Sequence, residues 1–240
     1  GCDQFCAYCE VPYARGRARS REFQDILAEA NALVKAGHQE IVLTGINTGA
    51  YWFEHKNLLD VIKALEDIPL LKRIRISSIE PAEIVDDIVT YLAGKTKLCR
   101  YLHVPVQHGH DEILTRMGRR YSAETFLRMI ARAADMVPDI CIGTDVIAGF
   151  PGEAEDHFEQ TYHLLKTSPV RYFHVFSFSR RNNARAKDFP GQVRADVIRK
   201  RSERLRALSR RKRRQFFEEM TEKTVPVLFE QKKGGFWHGV

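Results

Sequence analysis

No run of 18 apolar residues occurs anywhere in the 240-residue sequence, so no segment reads as a bilayer-spanning helix. No signal-peptide pattern is present. Internal repeats and low-complexity tracts are missing, which sets aside solenoid and linker architectures. Cysteine is scarce: of five, three crowd into the first nine positions. That usage suits a reducing compartment better than a disulfide framework, and the expected location is cytoplasmic. An initiator methionine is absent before Gly1, and the sequence stops at Gly239-Val240 inside a strand-like pattern. The expectation is a piece of a longer protein.

The content that is present suits a globular domain. Hydrophobic residues make up 44% and charged residues 29% of the chain, enough for one large core plus a small appended piece. Lys and Arg number 38 against 31 Asp and Glu, a net charge of +7. This balance suits a polyanionic partner once the charges are shown to cluster.

The crowded cysteines read Cys2-Asp3-Gln4-Phe5-Cys6-Ala7-Tyr8-Cys9, a C-x3-C-x2-C spacing. Three thiolates can hold one [4Fe–4S] cluster and leave one iron open to a substrate. The competing reading is zinc, with a fourth ligand from a distant His or from Cys99 or Cys141.

Strand-like runs at 40–44, 73–77, 101–106, 140–147 and 172–176 alternate with 3.6-period segments. The helical segments carry Ile26, Leu27, Ala30 and Val34; Leu58, Ile62 and Leu65; Ile84, Ile88 and Leu92; Phe126 and Ile130; Phe158 and Leu165. This alternation predicts an α/β fold, a partial (β/α)6 TIM-like barrel of parallel strands with right-handed crossovers. Its sixth strand would precede Gly1. In such barrels the chemistry gathers on loops after the strands' C-terminal ends. Those loops begin at Gly45, Ser77, Gln107, Gly149 and Ser177, all polar or glycine-rich, and are expected to open beside the cysteine loop.

From about Val193 to Phe217 the pattern predicts one long helix, with Val197, Ile198, Leu205, Leu208 and Phe216 facing inward. Ten basic residues fall between 199 and 214, all expected on the outer face, with Glu203 the one acidic residue among them. Such density exceeds what solubility needs and suggests phosphate contact. From Thr224 the period changes to two, and Gly234-Gly235 predicts a hairpin turn.

The cysteine loop continues Val11-Pro12-Tyr13-Ala14-Arg15-Gly16-Arg17-Ala18-Arg19-Ser20-Arg21. With its aromatic before the last cysteine, it resembles the radical S-adenosylmethionine (SAM) superfamily and, more specifically, the tRNA methylthiotransferases. Thr44-Gly45-Ile46-Asn47, Ser77-Ser78-Ile79-Glu80-Pro81, His103-Val104-Pro105-Val106-Gln107, Thr144 to Glu153 and His174-Val175-Phe176 extend the resemblance over nearly the whole chain. The best match within the group is the type acting on N6-threonylcarbamoyladenosine beside the anticodon. Types acting on isopentenyl-adenosine or on a ribosomal-protein aspartate match less well. A non-catalytic, zinc-stabilised RNA-binding module is the rival from another class.

The resemblance implies a radical SAM catalytic domain over 1–217 and the start of a TRAM-like RNA-binding β domain over 218–240. It implies cluster ligation by Cys2, Cys6 and Cys9, with SAM on the open iron yielding a 5′-deoxyadenosyl radical. Tyr8 would sit against the adenine of SAM. Gly45 and Asn47 fall where the superfamily binds its amino group, Ser78 and Glu80 near the ribose or methionyl end, and Gln107 near the ribose or carboxylate. Gly149, Pro151 and Gly152 would let the backbone pass close to the adenine. Arg15, Arg17, Arg180, Arg181, Arg210, Arg211, Arg213 and Arg214 would face RNA. The implied partners are a tRNA anticodon stem-loop and an electron donor such as flavodoxin or ferredoxin, with no membrane and a monomeric protein. A second [4Fe–4S] cluster is implied in an N-terminal domain outside this sequence. Two stretches depart from the family pattern: His108 and His110 replace small polar residues, and Ser179 to Ala186 lacks the usual proline and glycine.

Overall fold

A computed structural model describes residues 1–81 and 86–240; the expected helical position Ile84 lies outside them. After helices α1 (Val11–Arg15) and α2 (Phe23–Lys35), strand β1 (Glu40–Leu43) leads to a small hairpin of β2 (Trp52–Phe53) and β3 (Lys56–Asn57). Helix α3 (Leu58–Glu66), β4 (Arg73–Ile76), α4 (Asp86–Ala93) and β5 (Tyr101–His103) follow. Then come α5 (Asp111–Met117), α6 (Ala123–Met136), β6 (Cys141–Ala148), α7 (Glu155–Thr167), β7 (Tyr172–Ser177) and α8 (Ala195–Met220). A hairpin of β8 (Phe229–Lys233) and β9 (Phe236–Gly239) closes the chain.

Five of these strands, β1, β4, β5, β6 and β7, run parallel. β1 pairs β4 from Glu40↔Arg73 to Leu43↔Ile76, and β6 is flanked by β5 and β7. An Ile74↔Leu98 bridge and an Ile79 N–H bond to the His103 carbonyl at 3.0 Å join the two ladders. The parallel α/β reading of the sequence is therefore the architecture observed.

Side-chain alternation decides what each face does. On the outer face, Ile74, Leu102, Ile142, Val146 and Phe173 are buried against Phe126 and Ile130 of α6, Phe158 of α7 and Leu205 and Leu208 of α8. Each such fully buried side chain is worth about 1.5–3 kcal/mol. The inner face is different: it presents Arg73 and Arg75, Tyr101 and His103, Asp145, and Tyr172, His174 and Phe176. Gly143 makes part of this face possible, because a Cβ there would stand 2.4 Å from the Tyr172 ring. Without one, the ring crosses β6, and its hydroxyl meets that of Tyr101 at 2.7 Å.

Helix α8 corrects one expectation. Arg201 and Lys212 were placed on the outer face with the other cations, but Arg201 is buried and Lys212 half-buried. The spacing 201, 205, 208, 212 puts both on the core stripe. Arg201 donates to the Glu153 carboxylate at 2.7 Å and to Glu155 at 2.8 Å. Lys212 donates to the carbonyls of Lys166 and Ser168 at the end of α7, and burial pushes its ammonium down to about 8. At the hairpin, Gly234 and Gly235 both have positive φ, 58° and 84°, as a two-residue turn of this hand requires.

Candidate active site

The cysteine loop is clamped through Ala7, which is wholly buried. Its N–H donates to the Met117 carbonyl and its carbonyl accepts from Ala186 N–H, both at 2.8 Å. Ala7 packs with Ile113, Met117, Ile147 and Phe150. Ile147 sits near the C-terminal end of β6, so the loop lies over that end of the sheet, where the barrel rule places chemistry.

Each of the three sulfurs has a donor directed at it. Gln4 N–H reaches Cys2 Sγ at 3.5 Å, Val11 N–H reaches Cys9 Sγ at 3.4 Å, and Arg119 Nη1 reaches Cys6 Sγ at 3.1 Å. Burial raises the Cys9 thiol pKa, and Cys6 and Cys2 add to the rise, so the three thiols share one electrostatic site. Among the described residues, compact groups of three potential metal ligands with donor atoms within 4.8 Å of one another form at two places, and neither includes a cysteine. A tetrahedral zinc with bonds of about 2.3 Å needs sulfurs about 3.8 Å apart. The three sulfurs do not all lie within 4.8 Å of one another, and each has an N–H donor directed at it, as iron–sulfur thiolates do. Cys99 and Cys141 stand at the starts of β5 and β6, the opposite end of the sheet.

Arg119 organises the surroundings of Cys6 and was not singled out from the sequence. Gly118, at φ 78°, ends α5 in the left-handed conformation and turns the chain inward. The guanidinium then pairs with Glu80 and donates to Tyr121 Oη at 3.0 Å and Tyr8 Oη at 3.4 Å. Tyr121 in turn donates to the Pro105 and Val106 carbonyls, tying the group to the loop after β5. Burial alone would lower the arginine pKa, but Tyr8, Tyr121, Glu80 and Cys6 outweigh it and the net shift is upward. Burial also holds the Tyr8 phenol well above its usual range, Arg119 opposing. The one sequence signal available was an arginine just past a glycine-capped helix with a tyrosine two residues on.

The other expected site residues fall as follows. Glu80 is brought to Cys6 through Arg119, and Ser78 lies half-buried in the same stretch. Gln107 is buried with φ 63°, its N–H on the Asp145 carbonyl at 2.9 Å and its own carbonyl accepting from Ile147 N–H. Thr44, Gly45 and Asn47 line a cavity of about 430 Å³ along β1, together with Gly1 and Arg19. At Gly149 and Gly152, expected to let the backbone pass close to the adenine, the side a Cβ would occupy is taken by protein atoms. A Cβ at Gly149 would stand 2.3 Å from Ile198, and one at Gly152 would stand 2.8 Å from the Arg116 guanidinium. Pro151 is buried. Ile198 of α8 and Arg116 thus pack against this loop.

The two departures also resolve. His108 is buried beside Thr161 and Glu153, and burial lowers its pKa despite Glu153. His110 accepts from Glu112 N–H as the cap of α5 and packs on His157. The 180–186 stretch closes on the cysteine loop: Asn183 N–H donates to Glu10, Arg185 donates to the Phe5 carbonyl at 3.1 Å, and Ala184 and Ala186 are buried. Arg15, Arg17, Arg180, Arg181, Arg210, Arg211, Arg213 and Arg214 are exposed. Arg17 pairs with Asp3 and Arg214 with Glu218, and Arg213 lies over Phe217.

Residues 1–165 match the family model described as the radical SAM superfamily. The chain is 36% identical over 234 residues to threonylcarbamoyladenosine tRNA methylthiotransferase MtaB of Bacillus subtilis (strain 168), covering 96% of the chain and 52% of the relative. It is 37% identical over 235 residues to tRNA-2-methylthio-N(6)-dimethylallyladenosine synthase of Desulfitobacterium hafniense (strain Y51), with coverage of 96% and 52%. The chain thus spans about half the length of the curated relatives it matches. Among solved structures, the radical SAM methyltransferase TsrM from Kitasatospora setae superposes with a TM-score of 0.65 at 20% identity, over 78% of this chain and 37% of that one. Methylornithine synthase PylB gives 0.58 at 15%, over 87% and 60%. At such identities these structures speak for the fold alone.

Proposed function

The chain belongs to the radical SAM superfamily, and from that premise we propose that it is the catalytic part of a tRNA methylthiotransferase. Its cofactors are a [4Fe–4S] cluster and SAM. The observation that carries the proposal is the loop of Cys2, Cys6 and Cys9 over the C-terminal end of the sheet, each sulfur with an N–H donor, while Cys99 and Cys141 stand at the far end. The three thiolates would hold the cluster and leave a position for SAM. When bound, that pair supplies the radical able to abstract hydrogen from an unactivated C–H bond. The protein's part is to hold and to shield. Arg119 fixes Cys6 and Tyr8, and Phe150, with Phe178 and Phe189 edge-on to it, backs the loop with an apolar wall.

The substrate we propose is the adenosine beside the tRNA anticodon that carries an N6-threonylcarbamoyl group, converted to its 2-methylthio derivative. Relatives named for threonylcarbamoyl and for dimethylallyl substrates are equally similar to this chain. The choice rests on the motifs Thr44 to Asn47, Ser77 to Pro81 and His174 to Ser179. Exposed arginines flanking the loop and along α8 supply phosphate contacts. The closing hairpin is the beginning of a TRAM-like RNA-binding unit. A small electron carrier such as flavodoxin or ferredoxin reduces the cluster, and the protein works as a monomer in the cytoplasm; no helix among the described residues is long and apolar enough to cross a membrane. Mass spectrometry of tRNA nucleosides from cells with and without the intact gene tests the assignment. Loss of 2-methylthio-N6-threonylcarbamoyladenosine on deletion is expected. An unchanged nucleoside profile would refute it.

A further inference from the structure

The inner face of the sheet carries a polar chain that neither the cluster nor the fold requires. Tyr101 and Tyr172 share a hydroxyl hydrogen bond, and the Tyr172 hydroxyl meets His103 Nδ1 at 3.3 Å. His103 Nε2 lies 3.0 Å from Asp145 Oδ1, and His174 Nδ1 lies 3.1 Å from the same oxygen. The two imidazoles stack with centroids 5.4 Å apart. At one end Arg75 lies over the Tyr101 ring; it shares Glu40 with Arg73, two cations on one carboxylate. At the other end the chain opens: the His174 side chain is 59% exposed, and Phe176, two residues on, exposes an aromatic ring.

This chain lies under the cysteine loop. Asp145 and Ile147 point to the same face of β6, and Ile147 packs in the cluster that holds Ala7. Two residues along a strand span about 7 Å. Phe176 pairs in register with Ile147, so its exposed ring lies beside the loop and is a stacking surface for a base, since every nucleobase offers a π-face. The polar groups beside it select what that base may carry. A hydrocarbon substituent pressed onto His174, Asp145 and His103 would strip water from them and give nothing back, whereas a substituent with its own donors and acceptors replaces that water.

We propose that His103, Asp145 and His174, with Phe176 as the stacking surface, form the pocket that recognises the N6 substituent of the target adenosine, accepting a polar, hydrogen-bonding group and rejecting a hydrocarbon one. The proposal rests on the tRNA methylthiotransferase reading. Asp145 is the positioning residue: it receives Nδ1 of His174 and so directs Nε2 of that ring outward toward the ligand. The ordered Tyr172–His103 pair fixes Asp145 from the other side.

The test is equilibrium binding of anticodon stem-loops by the intact, anaerobically reconstituted protein, with adenosine, N6-threonylcarbamoyladenosine or N6-dimethylallyladenosine at the target position. Iron content per chain checks that each variant is folded and loaded. The wild type is expected to bind the threonylcarbamoyl stem-loop more tightly than the other two. His174→Leu should lose about tenfold of that affinity, the scale of one hydrogen bond, and keep its affinity for the unmodified stem-loop. His174→Gln, which retains polar atoms, should recover part of the loss, and Asp145→Leu should resemble His174→Leu. Equal affinity of wild type and His174→Leu for the threonylcarbamoyl stem-loop would overturn the pocket while leaving the proposed substrate in place. A wild type that binds the dimethylallyl stem-loop as tightly as the threonylcarbamoyl one would overturn the substrate reading, and the pocket with it.

Discussion

Replacing Arg201 by Met removes a guanidinium that α8 buries against the loop after β6. That guanidinium donates to Glu153 Oε1 at 2.7 Å, to the Glu153 carbonyl at 3.0 Å and to Glu155 at 2.8 Å, and lies 5.3 Å from the Phe158 ring centre. Met fills much of the space but leaves the Glu153 carboxylate, 5% exposed, without its cation. Glu153 would still accept from Gly149 N–H at 2.8 Å, with His108 Nε2 at 3.4 Å, which softens the loss without neutralising the charge. Breaking a buried pair from one side costs about 3–5 kcal/mol. For a chain of this size each kcal/mol lowers Tm by about 2–4 °C, so a fall of about 10 °C is expected. Thermal unfolding of wild type, Arg201→Met, Glu153→Gln and the double variant measures it. The double variant should be more stable than the sum of the single losses predicts, because neither partner is left as a lone buried charge. A single-variant loss below about 1 kcal/mol, or strict additivity, would refute the reasoning.

Cys6→Ala should give a protein without the brown colour near about 400 nm and without SAM cleavage; retention of either counts against the ligand assignment. Gly143→Ala places a methyl group inside the Tyr172 ring and should cost about 1–3 kcal/mol by denaturant unfolding, while Gly234→Ala, with no atom within 4 Å of the added carbon, pays only for its backbone conformation. His108 is held neutral by burial, so the unfolded chain binds a proton below about pH 6.5 that the folded chain resists. Stability of the wild type relative to His108→Gln should therefore be full above that pH and decline as pH falls from about 7 to 5; a flat difference would contradict the buried, neutral assignment.

The five parallel strands were legible because apolar runs rich in β-branched residues, such as Ile41-Val42-Leu43 and Val146-Ile147, sit between helical periods and end at glycine or polar loops. The cysteine trio was legible because its spacing is local. What sequence could not show are contacts made at a distance. Arg201 looked like surface charge, since only the fold supplies Glu153 and Phe158. Arg119 reaches Cys6 across 113 positions of chain. Gly149 meets Ile198, a neighbour brought there by α8 from 49 positions along the chain. The short α5 hid between a polar loop and α6, its seven residues too few to establish a period. His174 falls inside a strand-like run, and only the fold shows that its side chain, 59% exposed, faces the open interior of the sheet.

Electron paramagnetic resonance of the intact protein, reconstituted anaerobically with iron and sulfide, reduced, and measured with and without SAM, bears most directly on the three-thiol centre. The account predicts a reduced [4Fe–4S] signal whose shape changes when SAM is added, because one iron is open to it. A signal indifferent to SAM, or a colourless protein that carries zinc, would contradict it.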